Sequence, residues 1–210
     1  MVHQRLLEAI CAGDLAPNAR LRQEELAASF GVSRQPVLQA LRLLRNDGFV
    51  IEAGRRGLMV APLDAKMIGQ VYEVRAVLDG LAARLSAQAG AQLDDAVITQ
   101  GRKATRGNRV SAMIEADLKF HNMIYRSSGN TRIAEAAGRH WQHIRRAMGA
   151  ALQSGRVRPT VWDEHEEILD AINRGETALA ERLARAHGDS AGHNLTAELE
   201  RDRPTSAPAA

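Results

Sequence analysis

The sequence predicts a mainly α-helical protein in two parts: a small N-terminal region closed by one β-hairpin, then a longer all-α antiparallel bundle. Three observations predict it. Apolar residues recur at helical spacing through most of the chain. At one place only, FVIEA and GLMVA flank Gly54-Arg55-Arg56-Gly57, two short apolar runs around a glycine-bounded turn that read as a hairpin. Hydrophobic residues make up 45% of the chain but aromatic ones only 3%, so the core must be built from Leu, Ala, Ile and Val, a composition that leans towards helix.

The elements follow in order. Residues 2–12 set Leu6, Leu7, Ile10 and Cys11 at helical spacing, and Gly13-Asp14 stops that helix. Pro17-Asn18 makes a turn. Residues 23–30 form a short helix ending at Gly31, a left-handed position. Ser33 caps a third helix with Pro36 in its first turn, where a missing N–H is tolerated, and it runs to about Asp47. After the hairpin, Asp64 is the N-cap of a long helix over 65–89. Further helices are expected at 92–104 (ending near Gly101), 110–127, 131–153, 159–173 and 176–199, broken at Ser128-Gly129-Asn130, Ser154-Gly155 and Asn173-Arg174-Gly175. The expected domains are therefore 1–62 and 63–200, with 201–210 a disordered tail.

The bulk properties exclude several classes. A net charge of +3 is too weak to indicate nucleic acid by itself. The single cysteine, Cys11, rules out an intramolecular disulfide and a cysteine metal cluster. No apolar run approaches the roughly 18 residues of a membrane span, and MVHQRLLEAICAGDL has no signal-peptide core. The expectation is a cytoplasmic protein with no membrane partner.

Helix, short helix, glycine turn, capped helix and hairpin is the order of a winged helix-turn-helix. Ala27 is small enough for the second and third helices to cross closely. Val32 and Val37 are expected in the core with Leu26, Leu41 and Leu44, which leaves Ser33, Arg34, Gln35, Leu38 and Gln39 near the exposed N-terminal end of the third helix. A recognition helix reads bases from that end. Arg34 can pair with guanine or phosphate and Gln35 with adenine or phosphate. Arg55 and Arg56, at the wing tip, can reach backbone or minor groove. A helical domain with merely solvated Arg and Gln is the alternative; Arg42 and Arg45 fit it as well as they fit phosphate contact.

These residues resemble a known family. GDLAPNARL followed by ELAASFGVSRQPVLQALRLLRNDGFV is similar, over about residues 5–62, to the DNA-binding domain of GntR-type regulators, whose usual pattern reads GVSRxPVREAL. The resemblance implies that Ser33, Arg34 and the wing glycine Gly54 contact double-stranded operator DNA. The chain departs from the pattern at Leu38-Gln39, where the family has Arg-Glu, so one phosphate or base contact is lost.

The second part holds six of the seven histidines: His121, His140, His143, His165, His187 and His193, with His3 in the first. Asp117 and His121 lie four apart, on one face of a helix, where both can grip one metal; an i,i+4 surface pair is the alternative. His165 and His187 flank the turn at 173–175, roughly 13 Å before and roughly 18 Å after it at about 1.5 Å per residue, so antiparallel helices bring them to similar depth. By spacing alone, hydrogen-bonded core histidines and metal ligands are about equally supported.

Residues 65–199 resemble the FCD domain of the FadR subfamily through YEVRAVLDGLAARLSA, DLKFHNMIYRSSGN and HEEILDAINRGETALAERLARAH, and six helices suggest its VanR-like branch. In its metal-binding members an Asp, a His four later and two more His hold a divalent ion. The resemblance implies Asp117, His121, His165 and His187 here. Three imidazoles and a carboxylate suit zinc or nickel better than calcium or magnesium, and leave coordination positions for a small organic, sugar or hydroxy acid. Arg75, in a family-typical position, can pair with the carboxylate of such an effector; a surface ion pair is the alternative, and Arg145 and Arg146 are further candidates for the pocket. The expected protein is a ligand-responsive transcriptional regulator of repressor type, a homodimer and not an enzyme. The alternatives are a metal-dependent hydrolase or isomerase, and a metal-sensing regulator without an organic effector.

Overall fold

The computed structural model describes residues 1–54, 57–107, 109–155, 158 and 160–201. It divides into two compact units, Met1–Leu63 and Asp64–Ala210.

In the first unit, α1 (Val2–Ala12), α2 (Gln23–Phe30) and α3 (Arg34–Asn46) precede a hairpin of β1 (Val50–Ala53) and β2 (Gly57–Val60). The strands are antiparallel, with Val50 opposite Val60 and Ile51 opposite Met59. Arg20 bridges to Met59, so the segment before α2 runs along the outer side of the hairpin. Leu6, Ile10, Val37, Leu41, Leu44, Val50 and Val60 are all buried in one cluster. The turn between α2 and α3 depends on Gly31, whose φ of 65° lies in the left-handed region that costs a side chain steric strain. One expectation fails here. Val32 is exposed: its N–H closes the end of α2 by donating to the Ala27 carbonyl, and its side chain turns away from the core. Leu26 lies at the rim of the cluster. Ser33 does stand at the N-cap of α3 in extended conformation, but its hydroxyl makes no capping bond.

The second unit is the helices α4 (Ala65–Gln88), α5 (Ala96–Arg106), α6 (Val110–Ser127), α7 (Thr131–Gln153), α8 (Val161–Asn173) and α9 (Thr177–Arg201). Asp64 caps α4, its Oδ1 accepting from the N–H groups of Lys66 and Met67. Helices α4 and α9 run antiparallel at short range because α9 presents glycines. A Cβ at Gly188 would stand 2.9 Å from that of Ala76, and one at Gly192 would stand 2.6 Å from that of Tyr72. The turn after α8 folds α9 back along it, and Phe120, Ile168, Leu169 and Ile172 fill the space between them and α6.

Helix α5 begins four residues later than expected. The side chain of Asn173, at the end of α8, accepts from Leu93 N (2.7 Å) and donates to Leu93 O (3.0 Å). That pair holds the segment extended until Asp94 accepts from Ala96 N. Gly101 is not a terminus either. It sits inside α5, where a Cβ would stand 2.1 Å from the ring of Trp162; the glycine is there to admit the indole. Of the expected tail, Arg201 is the last helical residue, and 202–210 lie outside the described residues.

The close approach at Gly101 carries a direct test. Gly101→Ala overpacks a filled contact and should destabilise the second unit by about 1–3 kcal/mol, read as a lowered urea midpoint. Combining it with Trp162→Leu should cost less than the two single changes added together.

Candidate functional site

Helices α4, α6, α8 and α9 each bring a titratable side chain to one buried point. His121 (α6), His165 (α8) and His187 (α9) each offer a ring nitrogen, and these nitrogens all lie within 4.8 Å of one another. Nε2 of His165 is 3.1 Å from Nε2 of His187. Asp117, one turn before His121, points its Oδ1 at both His121 Nε2 and His165 Nε2, 3.8 Å from each. The four residues expected as ligands therefore converge, and all are buried.

A second ring of groups fixes the imidazoles from behind. Glu164 Oε2 stands 2.8 Å from His187 Nδ1. A carboxylate there requires the proton on Nδ1, which leaves a bare lone pair on Nε2. Asp79 Oδ2 takes the same place behind His121 Nδ1, at 3.5 Å. Glu164 is itself held by Arg158 (2.6 Å) and by the Thr160 hydroxyl (3.0 Å). Asp79 accepts a short bond from the Tyr125 hydroxyl and lies 3.4 Å from Arg75 Nε. Phe120 stacks on His165 at 3.9 Å between centroids. Such outer partners orient metal-binding histidines.

Several of these polar atoms lack a hydrogen-bond partner among the described residues: His121 Nε2, His165 Nδ1, Asp117 Oδ2 and Asp79 Oδ2. Burying unpaired polar atoms is costly. Asp117 Oδ2 lies 3.6 Å from Arg75 Nη2, whereas His121 Nε2 faces the common point, to which Asp117 Oδ1 and His187 Nε2 are also directed. A cation bound there satisfies these groups together, so the residues fit a divalent ion of the borderline kind that imidazole and carboxylate hold.

The electrostatics agree with this arrangement. Burial pushes His165 well below the usual histidine range, with the neighbouring His187 and His121 adding to it. Burial also lowers His187, against the opposing hydrogen bond to Glu164. Burial works against ionisation of Asp79, but His121 and Arg75 outweigh it and hold the carboxyl far below its ordinary value. Metal ligation needs neutral imidazole, the state that burial favours at His165 and His187.

Arg75 is buried beside this centre, not on the surface. Its Nη2 is 3.6 Å from Asp117 Oδ2, and its guanidinium lies over the rings of Tyr72 and Trp141. A cavity of about 250 Å3 opens next to it, lined by Arg75, Asp79, Asp117, Arg158 and His187 on the polar side and by Trp162 on the other. Neither Arg145 nor Arg146 lines it. Arg158 does, as does Asp79; these two, with Tyr125 and Glu164 behind the centre, are residues that spacing did not single out. Only Glu164, next to His165 in sequence, carried a local signal. His140 and His193 are exposed and His143 is half-buried on α7.

In the first unit Ser33, Arg34, Gln35 and Gln39 are exposed at the start of α3, and Leu38 is half-buried. Arg34 Nη2 is 2.8 Å from Glu24 Oε1 on α2. Arg45 is tied to Glu52 of β1, and Arg42 is exposed. Gly54 has φ 71° at the hairpin turn. Arg55 and Arg56 lie outside the described residues.

Comparison with known proteins agrees with both units. Residues 1–60 match the model of bacterial regulatory proteins of the gntR family, and residues 70–190 match the FCD domain. An HTH-type transcriptional regulator in an unstable DNA locus of Streptomyces ambofaciens is 33% identical over 196 residues, 89% of this chain and 80% of its own length. The Nta operon transcriptional regulator of Aminobacter aminovorans is 30% identical over 73% of this chain and 71% of its own. The gluconate operon transcriptional repressor of Bacillus licheniformis is 29% identical over 77% and 67%. Among solved structures, a GntR transcriptional regulator of Rhodococcus matches with a TM-score of 0.76 at 24% identity, over 92% of this chain and 95% of that one.

The two depressed imidazoles set a pH dependence for chelator-treated protein. Between the unfolded histidine value near 6.5 and the lower folded values, the unfolded chain binds more protons than the folded one. Stability is therefore present above about pH 6.5 and lost as pH falls below it. Urea unfolding between pH 7.5 and 5 should show that loss, and His165→Phe should reduce it.

Proposed function

Because the chain belongs to the GntR family of bacterial regulatory proteins, a family of DNA-binding transcriptional regulators and not of enzymes, and carries an FCD domain, we propose that it is a ligand-responsive repressor. It binds operator DNA as a homodimer in the cytoplasm. It is controlled by a small carboxylate bound beside a divalent ion, zinc or nickel, in the helical unit. The observation that carries the control half of this reading is the convergence of His121, His165, His187 and Asp117 on one buried point.

On the DNA side, the exposed start of α3 presents Ser33, Arg34 and Gln35 together with the uncapped N–H groups of its first turn. That end of a helix favours a phosphate, and Arg34 and Gln35 suit base edges or phosphate. Gly54, Arg55 and Arg56 are the corresponding wing residues. The ion pair with Glu24 is exposed on both sides and so contributes at most about 1 kcal/mol. DNA displaces it at little cost. A single short recognition helix gives limited specificity, which argues for two copies on two half-sites. Val74 and Val77, exposed apolar residues one turn apart on α4, suit a face that a second copy covers.

On the control side, His121, His165 and His187 would hold the ion through Nε2, with Asp117 as the anionic ligand. When bound, the ion supplies a Lewis-acid anchor for a carboxylate oxygen. Asp79 and Glu164 keep the imidazoles aimed, and Arg75 offers the nearby cation for the effector. Helix α4 carries both Arg75 and Asp79 and follows the hairpin after only four residues. A shift at the centre therefore has a short covalent route to the spacing of the DNA-reading units, which changes operator affinity without touching a base contact. The hydrolase alternative is set aside on the family. Glu164 is in any case occupied with His187, Arg158 and Thr160.

Two measurements test the halves separately. Arg34→Ala should weaken binding to duplexes enriched from a random library by about 1–3 kcal/mol, whereas Glu24→Gln should strengthen it by removing an anion from beside the phosphates; unchanged gel shifts for Arg34→Ala contradict the assignment. His165→Ala should lose the stoichiometric zinc or nickel that elemental analysis finds in the purified wild-type chain.

A further inference from the structure

The wall of the cavity beside the histidine cluster specifies the effector more narrowly than its metal side does. Opposite Arg75 and His187 the lining is apolar: Met113 of α6, Met148 and Leu152 of α7, Val161 and Trp162 of α8, and Leu195 of α9. The indole of Trp162 is held from behind by Gly101 and by a hydrogen bond from its Nε1 to Thr105 Oγ1. It meets His165 and Phe120 edge-on. It is therefore a fixed flat surface, while the two methionines beside it are adaptable.

Few hydrogen-bonding groups in this cavity are unengaged. Thr105 accepts from Trp162 and donates to the Gly101 carbonyl. Asp79 is taken by Tyr125, and Arg158 by Glu164. Glu198 pairs with Arg201 at 2.8 Å. Among the described residues that leaves the Tyr72 hydroxyl, kept protonated because burial pushes its pKa up to about 12, the Oδ2 atoms of Asp79 and Asp117, and the exposed Asn194. Hydroxyls laid against the side chains of Met113, Met148, Leu152 and Leu195 would give up water and find no hydrogen-bond partner on those side chains, which is unfavourable. The volume, about 250 Å3, is below the roughly 300–1,000 Å3 of most ligand clefts, so the ligand is small.

Charge narrows the class again. Two guanidiniums, Arg75 and Arg158, face three carboxylates, Asp79, Asp117 and Glu164. By formal charge these guanidiniums and carboxylates sum to one net negative, and a divalent ion turns that to one net positive. One carboxylate balances the site; a second is left without a counter-charge in a poorly solvated place.

We propose that the effector is a small monocarboxylate with a flat, apolar body lying against Trp162, Met113 and Met148, and that the cavity discriminates against polyhydroxylated and multiply charged acids. This rests on the reading of the histidine cluster as a divalent-cation site. It narrows the organic, sugar and hydroxy acids that the donor set alone allows.

The test uses the full chain loaded with zinc, its metal content measured first. Benzoate, D-gluconate and citrate are then titrated by calorimetry. Benzoate should bind at least tenfold more tightly than either of the others. Met148→Gln should weaken benzoate at least tenfold with zinc content unchanged, and Leu152→Gln does the same service on the same wall if the first variant does not fold. Gluconate or citrate binding as tightly as benzoate, absence of benzoate binding to zinc-loaded protein, or benzoate affinity indifferent to a folded wall variant each overturns the ligand class alone. A chain that takes up no zinc overturns the cation site itself, and with it the charge argument.

Discussion

An imidazole is aimed most firmly at a cation when its other nitrogen is tied down, and two imidazole lone pairs 3.1 Å apart repel unless something positive or a proton stands between them. That constraint governs the helical unit. Glu164 behind His187 settles which nitrogen of that ring is bare, and Asp79 takes the equivalent position behind His121. His165, stacked on Phe120 and wholly buried, has no room to turn aside. The bundle's packing serves this geometry. Gly188 and Gly192 let α9 settle onto α4, and the short turn after α8 sets His165 and His187 at one depth. The outer carboxylates are in turn bound by Tyr125, Arg75, Arg158 and Thr160, so residues from α4, α6, α8 and α9 share one network. A buried polar network of this kind rigidifies when satisfied and is unfavourable when it is not, which makes its occupancy a natural point of control.

The two units divide the work by exposure. The helix start that suits DNA is solvated, uncapped and loosely paired. The centre that suits a cation is buried. Between them in the chain stands α4, which supplies Arg75 and Asp79 to the network and begins immediately after the first unit. On the proposed reading, an effector that alters how Arg75 and Asp79 are engaged would act on the helix that follows the first unit in the chain.

Most of the fold is legible in the sequence because its signals are local. Asp64 caps α4 and Gly31 turns α2 into α3 through chemistry contained within a few residues. The expectations that fail involve partners distant in sequence. Leu93 is kept out of α5 by Asn173, eighty residues on, and Gly101 reads as a helix end until Trp162 is seen to need the space. Val32 fails for a smaller reason: hydrophobicity assigns it to the core, but its backbone is committed to closing α2. The four ligand candidates are visible as spacing and resemblance, yet the groups that orient them are not. Asp79 and Tyr125 lie inside the quoted motifs without standing out there, Arg158 lies in none, and all three acquire their roles only when four helices meet. Arg75 is legible as a position, while its burial between Tyr72, Trp141 and two carboxylates is a property of the packed bundle.

The central claim is that three neutral imidazoles and one carboxylate hold a cation through the nitrogens that face one another. X-ray absorption at the zinc edge of the loaded full chain reads that coordination directly. The account predicts three imidazole nitrogens at about 2.0–2.1 Å with oxygen filling the remaining positions, and one imidazole fewer in His187→Ala. A spectrum with one imidazole or none, or one unchanged by that substitution, would contradict it.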